Sequence, residues 1–514
     1  MTEEERKVID EKNHTLAKKM LPNEVFTYFA DLSFVPRGSD DVARFGVFLE
    51  DFARKHGLES AKDKTGNVIV RKPAQKSVSE TGVILQAHQD MVCVKTEDTE
   101  HDFATDPIEL VLEGDVLRAN GTTLGADDGM GVAIAMAILT DKEIAHPPLE
   151  ALFTVDEETD MKGAKTVNPA MLEGEILINL DAEDLGIAYI SSAAGVGSEL
   201  ELKLETDRNA KHAAWCRVKI EGLAGGHSGI EINKARANAY VLLARFLRAA
   251  ETLGYSLHAL GPGKSDGKDN AIPLYAEAVV GLSAAGAKNL AAMAETWTAA
   301  FRNEYRSSDA KCTVTVEAAE NPGEEFPAVT AEGRDALLRT LTLLPLGVFR
   351  FIQTDDLMSD KLAYSELLVE TSCNMGIASL REGTAKLTLL ARGSTESVLN
   401  DLMERVQGLA AMSAGTLTVT NRTQGWEMPQ HLNRVQELFK NQGLHCQGVH
   451  AGLECGCLVD LFKKAGRNLD AISIGPDMKE VHTPKERLYH KTVEPLWGQL
   501  TAVLSELAQD EGKQ

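Results

Sequence analysis

Apolar and polar positions along the chain change rhythm twice. The charged first 21 residues predict an extra N-terminal helix. Helices are then predicted at 24–33 and 40–56, and strands at 67–71 and 82–87. The second strand is a continuous apolar run, as befits a parallel strand buried on both faces. Residues 129–139 have the small, apolar look of a buried helix, and 149–155 and 175–180 are again short buried strands. Strands alternating with helices imply an α/β layer.

From about residue 195 the pattern becomes one of alternation. Residues 198–205 and 214–222 read as half-exposed antiparallel strands, followed by a long amphipathic helix at 234–253. Further strands are predicted at 271–282, 311–316, 365–376 and 384–391, with helices at 288–305 and 396–411. Residues 261–270, rich in Gly, Lys and Asp, predict an exposed loop. This α+β stretch spans about 225 residues, enough for one or two domains. After about residue 425 the α/β character returns: a helix at 432–441, a Gly-rich turn entering a helix at 450–458, a strand at 469–474 and a closing helix at 495–507.

Composition narrows the class. A chain of 514 residues exceeds a single core. A formal charge of −24 argues against nucleic acid or an anionic membrane as partner. No apolar run reaches membrane-spanning length, and the N-terminus lacks the apolar segment of a secretory signal. The seven cysteines are an odd, scattered set, which predicts reduced thiols and a cytoplasmic location.

Candidate chemistry lies at strand ends and in Gly-rich turns. His88 ends V-I-L-Q-A-H-Q-D, Glu157 and Glu158 follow L-F-T-V-D, Asp181 follows I-L-I-N-L, Asp127 sits in G-A-D-D-G-M-G, and His482 lies in D-M-K-E-V-H-T-P. Taken singly, each has an ordinary reading: a hydrogen-bonded histidine, a solvated acidic turn, a helix cap. Ligand sites in open α/β sheets lie beyond the carboxyl ends of the strands, so convergence on one rim is expected. Two histidines and three carboxylates suit a pair of divalent metals, with one carboxylate bridging and positions left open for water and substrate. Asp90 is placed to accept the second N–H of His88 and fix its tautomer. Of the Glu157–Glu158 pair, one carboxylate can bind metal while its neighbour acts as general base. If the five ligands meet, 1–194 and 421–514 form one discontinuous domain and 195–420 is an insertion. The reaction class implied is hydrolysis of an amide or ester.

These motifs resemble the metallopeptidase superfamily of zinc aminoacylases, carboxypeptidase G and dipeptidases. The resemblance extends to G-G-H-S-G-I-E-I-N at 225–233, T-S-C-N-M-G-I at 371–377, H-A-G-L-E-C-G at 450–456 and G-P-D-M-K-E-V-H-T-P-K-E-R at 475–487. It implies an α/β catalytic domain, with a central mixed sheet flanked by helices, carrying a large inserted α+β lid domain. It further implies two Zn2+ per chain, with Mn2+ or Co2+ as substitutes. Asp127 would bridge, His88 and Asp181 would complete one site, and Glu158 and His482 the other. Glu157 would be the base, and the peptide bond after Asp127 would be cis. His227 would stabilise the oxyanion, Arg392 would hold the substrate carboxylate and Glu454 would meet the substrate amine. Their ordinary readings are a turn histidine, a surface ion pair and a helix cap. The implied substrate is a dipeptide, with broad specificity that includes Xaa-His, and the implied assembly a homodimer. The chain departs from the family in Q-A-H-Q-D, in D-D-G-M-G and in Gly393 after Arg392, none of which removes a ligand. The rival readings are a related amidohydrolase (a deacylase or tripeptidase) and a non-catalytic binding protein on the same scaffold.

Overall fold

The computed structural model describes residues 1–263, 267–352 and 367–510. The chain forms two compact units: Met1–Ser192 with Trp426–Gly448 and Leu453–Gln514, and Ala193–Gly425 with Val449–Gly452. The short return of Val449–Gly452 to the second unit carries no hydropathy signature and is not marked in the sequence.

The first unit is built on an eight-stranded mixed sheet. At its centre Val83–His88 lies parallel to Leu149–Thr154 on one side and to Ile176–Asn179 on the other, and Asp470–Ser473 continues parallel to Ile176–Asn179. All three central strands are buried along their length, as the apolar runs predict. The apolar helix Ala126–Thr140 packs on Val83–His88. A smaller four-stranded sheet joins the hairpin of Leu110–Glu113 and Val116–Ala119 to Arg487–Tyr489 and Met478–Lys479. The N-terminal helix, Glu3–Ala17, is capped by a reciprocal box in which the Thr2 side chain accepts from Glu5 N–H.

The second unit is built on a large antiparallel sheet with one main hydrophobic core; Gly226–His227 and Ala271–Ile272 form a separate two-stranded sheet, and Ile232, Ile272 and Val369 a small second cluster. Two four-stranded halves share a continuous sheet. Thr313–Ala318, Ala214–Glu221, Ala276–Leu282 and Ser256–Gly261 form one half; Leu368–Arg381, Thr384–Gly393, Ala194–Lys203 and Thr416–Arg422 form the other. The seam is the pairing of Leu260 with Leu380.

Several sequence expectations need correction. The strand expected at 271–282 is two strands, Ala271–Ile272 and Ala276–Leu282, interrupted at Pro273, which has no N–H for the ladder. The helix expected at 234–253 is only Ala239–Ala249, because the Asn238 side chain caps it by accepting from Tyr240 N–H. Of the strand expected at 365–376, residues 365 and 366 lie outside the described residues, as do 264–266 of the expected loop; the observed strand is Leu368–Arg381. The helix Ala331–Leu343 and the strand Thr416–Arg422 went unpredicted. The strand is exposed along nearly all its length and so has no apolar face to betray it.

Candidate metal centre and its surroundings

The five expected ligands meet in the first unit. His88 is the last residue of its strand and is wholly buried. Asp181 lies two residues beyond the neighbouring strand Ile176–Asn179. Glu157 and Glu158 open a one-turn helix after Leu149–Thr154, entered through Asp156 in the left-handed region at φ 54°. His482, also left-handed at φ 62°, sits in the connection between Met478–Lys479 and Arg487–Tyr489.

Asp127 divides its two oxygens. Oδ1 lies 3.2 Å from His88 Nε2, whereas Oδ2 lies 3.0 Å from His482 Nε2. Asp181 Oδ1 is 3.5 Å from the same His88 nitrogen, and Glu158 Oε2 is 2.9 Å from the same His482 nitrogen. Three groups have donor atoms within 4.8 Å of one another: His88–Asp127–Asp181 and Asp127–Glu158–His482, which share Asp127, and His88–Glu157–Glu158. The donor chemistry, imidazole nitrogens and carboxylate oxygens around a shared carboxylate, fits two divalent cations. Glu158 Oε1 is buried without a hydrogen-bond partner, an oxygen that a cation would satisfy. The Asp127–Asp128 peptide is cis, as the resemblance implies.

Charge among these side chains is frustrated. Burial, with Glu158 alongside, lifts Glu157 well above the usual carboxylate range against the pull of His88. Burial and Asp128 do the same to Asp181. Burial disfavours a charged His482, yet hydrogen bonds to Asp127 and Glu158 overcome it and push the imidazole up to about 11. Burial would also raise Asp127, but its bonds to His482 and His88 hold it well below the ordinary value.

Asp90 has a wider role than orienting a histidine. Its Oδ1 is 3.5 Å from His88 Nδ1, while its backbone carbonyl is closer to that nitrogen, at 3.1 Å. The same carboxylate accepts from the amides of Glu157 at 3.0 Å and Glu158 at 3.3 Å, and from Ser39 Oγ at 2.8 Å. It therefore ties the histidine strand to the two glutamates. Sequence reasoning missed two further residues. Arg37, 3% exposed, donates to the carbonyls of Gln89 at 3.1 Å, Asp90 at 2.9 Å and Gly125, clamping the His88 and Asp127 segments together. Glu486, 3% exposed, receives the amides that lead into Asp127. Its only trace in the sequence is its place in the 475–487 motif.

Glu454 is neither a cap nor a surface group. Its side chain is 0% exposed and bonded to two central strands, where Oε2 accepts from Gln86 Nε2 at 2.5 Å and Thr154 Oγ1 at 2.7 Å, and Oε1 has no partner. Burial, partly offset by those bonds, raises it to about 7.

His227 and Arg392 lie in the second unit, where a further histidine, His450, joins them. His227 Nδ1 accepts from the amides of Gly229 at 3.2 Å and Ile230 at 3.1 Å, which assigns the neutral ring's proton to Nε2. Its own amide donates to Glu231 Oε2 at 3.0 Å. Gly226, at φ 132°, has no room for a Cβ, which would meet Arg236 Nη1 at 2.0 Å. Arg392 is 8% exposed, and its Nε has no hydrogen-bond partner. Burial lowers it to about 10, against the attraction of Asp269. His450 Nε2 is 2.7 Å from Ser372 Oγ; burial, with Arg392 and His227 nearby, drives it down to about 3, so it is neutral.

A parallel-centred sheet whose strand ends deliver His88, Glu158 and Asp181 to a helix-borne Asp127 and a loop-borne His482 defines a class, and the sequence agrees: the chain belongs to peptidase family M20/M25/M40, which matches residues 84–509. Within that family it is 33% identical over 500 residues to the cytosol non-specific dipeptidase of Escherichia coli strain K12, covering 95% of this chain and 98% of the relative. It is also similar to the solved structure of aminoacylhistidine dipeptidase from Vibrio alginolyticus, at 30% identity and a TM-score of 0.78, over 95% of this chain and 98% of that one. An aminopeptidase PepT structure from Bacillus cereus shares the fold at 14% identity and a TM-score of 0.54, over 95% of this chain and 100% of that one. These matches bear out the family resemblance read from the motifs, on its dipeptidase side. Among the described residues, no helix is long and apolar enough to cross a membrane. The seven cysteines are free thiols, six of them buried.

Proposed function

We propose that the chain is a cytoplasmic dipeptidase of broad specificity, Xaa-His substrates included, that works with two zinc ions. Manganese or cobalt would serve as substitutes. The observation that carries this reading is the division of Asp127 between His88 and His482 in two separate donor triads. Asp127 would bridge; His88 with Asp181, and Glu158 with His482, would complete the two positions. When bound, the ions would acidify water and polarise the scissile carbonyl.

The chain's own residues supply the rest. Glu157, raised by burial, is suited to take the proton of the attacking water and pass it to the leaving amine as the C–N bond breaks. Asp90, through the amides of Glu157 and Glu158, holds that base and its metal-binding neighbour in place. His227, with its proton on Nε2, is the donor proposed for the oxyanion. Arg392, buried and short of partners, suits the substrate's free carboxylate. Glu454 fits the role of amine partner less well, because its side chain is wholly buried and held by Gln86 and Thr154. A homodimer is the proposed assembly.

A panel of free dipeptides, N-acetylated dipeptides and tripeptides tests the substrate class, assayed on chelated enzyme with zinc, manganese or cobalt restored. Cleavage of free dipeptides alone is the expected result. Preference for the acetylated compounds would indicate a deacylase, and preference for the longer ones a tripeptidase.

A further inference from the structure

Asp127 owes its position to a residue far away in sequence. The Glu486 carboxylate receives four consecutive backbone amides: Leu124 at 2.8 Å and Gly125 at 3.0 Å on Oε2, Ala126 at 2.8 Å and Asp127 at 3.4 Å on Oε1. These amides approach the helix Ala126–Thr140, whose first turn is irregular: Asp127 has φ −82° and ψ 109°, outside the helical region. The turn therefore cannot satisfy its own N–H groups through the helix ladder, and one carboxylate does so instead. Gly125, at φ 68°, closes the turn on the other side, and its carbonyl is held by Arg37. Glu486 stands four residues beyond His482, and both lie between Met478–Lys479 and Arg487–Tyr489. One short connection thus delivers the histidine of one triad and fixes the residue common to both.

We propose that Glu486 is the positioning residue that presents both oxygens of Asp127, and hence that it governs the affinity of both metal positions together. The inference rests on the two-metal reading above. A terminal ligand such as Asp181 or Glu158 serves one position; Glu486 acts through the shared one. The isosteric change Glu486→Gln tests this, because an NH2 group then faces two of the four amides and donor meets donor. Partners of metal ligands typically contribute about 10–100-fold to metal affinity.

The chelated full-length chain and its Glu486→Gln variant are each titrated with zinc by calorimetry. Zinc content is measured after dialysis, and circular dichroism checks the fold. The expected result is two sites in the parent chain, both weakened about 10–100-fold in the variant. Loss at one site only, or unchanged affinity, overturns the proposal. Absence of zinc binding by the parent chain instead overturns the two-metal reading on which it stands. Should the variant fail to fold, hydrogen exchange on the metal-free parent chain decides. Slow exchange at Leu124, Gly125 and Ala126 is expected, and exchange as fast as in open loops refutes a pre-built turn.

Discussion

Replacing Glu454 by glutamine in the metal-free chain should reduce the pH dependence of the first unit's stability. The side chain is wholly buried, with one oxygen held by Gln86 and Thr154 and the other without a partner. Burial raises its pKa from 4.5 to about 7. A carboxyl raised on folding stabilises the native state fully below its unfolded pKa and loses that contribution as pH rises through the folded value. At roughly 1.4 kcal/mol per pKa unit, the parent chain should lose about 2.5 kcal/mol from this group between pH 5 and pH 8. Glutamine does not titrate, and the NH2 it leaves without a partner adds a penalty that is the same at both pH values. Glu183, raised to about 7, and Glu486, raised to about 6, titrate in both proteins and cancel in the difference. Urea unfolding of chelated parent and variant, followed by circular dichroism at pH 5 and pH 8, gives the two stability differences. The variant should gain about 2.5 kcal/mol relative to the parent on going to pH 8. A difference that stays constant within about 0.5 kcal/mol would refute the argument that burial keeps this carboxyl protonated.

Four other outcomes are expected. Glu157→Gln should keep both metals and lose about 10²–10⁴-fold in kcat, whereas Glu158→Gln should lose metal affinity as well; metal analysis of the two variants reversing that order would exchange their roles. Chelation should abolish activity and divalent metal restore it, with zinc content approaching two ions per chain; saturation at one ion would count against Asp127 as a bridge. Arg392→Ala should raise KM more than it lowers kcat, since a contact made equally in ground and transition states affects binding alone; a pure kcat loss in steady-state assays contradicts the carboxylate role. Finally, His227 is expected to serve the active site of its own chain. Co-expressed His227→Ala and Glu157→Gln chains in a verified mixed dimer should remain inactive, and recovered activity would show the histidine acting across the dimer.

What was legible in the sequence follows from burial. Val83–His88, Leu149–Thr154 and Ile176–Asn179 are apolar throughout, so the polar residues that end or follow them stand out, and those residues are the ones the structure gathers. Arg37 and Glu486 were invisible for the opposite reason. Both act on backbone groups, at Gly125 and at 124–127, and a backbone partner leaves no mark in side-chain patterning. The expectation that His227 acts in cis drew on an insertion long enough for two domain-sized α+β units. The second unit has two such halves in one shared sheet, and its main hydrophobic core runs across the Leu260–Leu380 pairing, a continuity that no local pattern announces.

The wide separation of His88 and His482 also bears on synthesis of the chain. Nearly 400 residues intervene between them. At about 5–20 residues per second, ribosomal synthesis completes the second triad roughly 20–80 seconds after the first histidine is made. Until then the nascent polypeptide carries His88, Asp127, Glu157, Glu158 and Asp181 but neither His482 nor Glu486, the carboxylate that receives the amides leading into Asp127. Assembly of the proposed metal centre therefore waits until residues 482–486 have been made, and a nascent chain that has not reached them holds only one complete donor triad around Asp127.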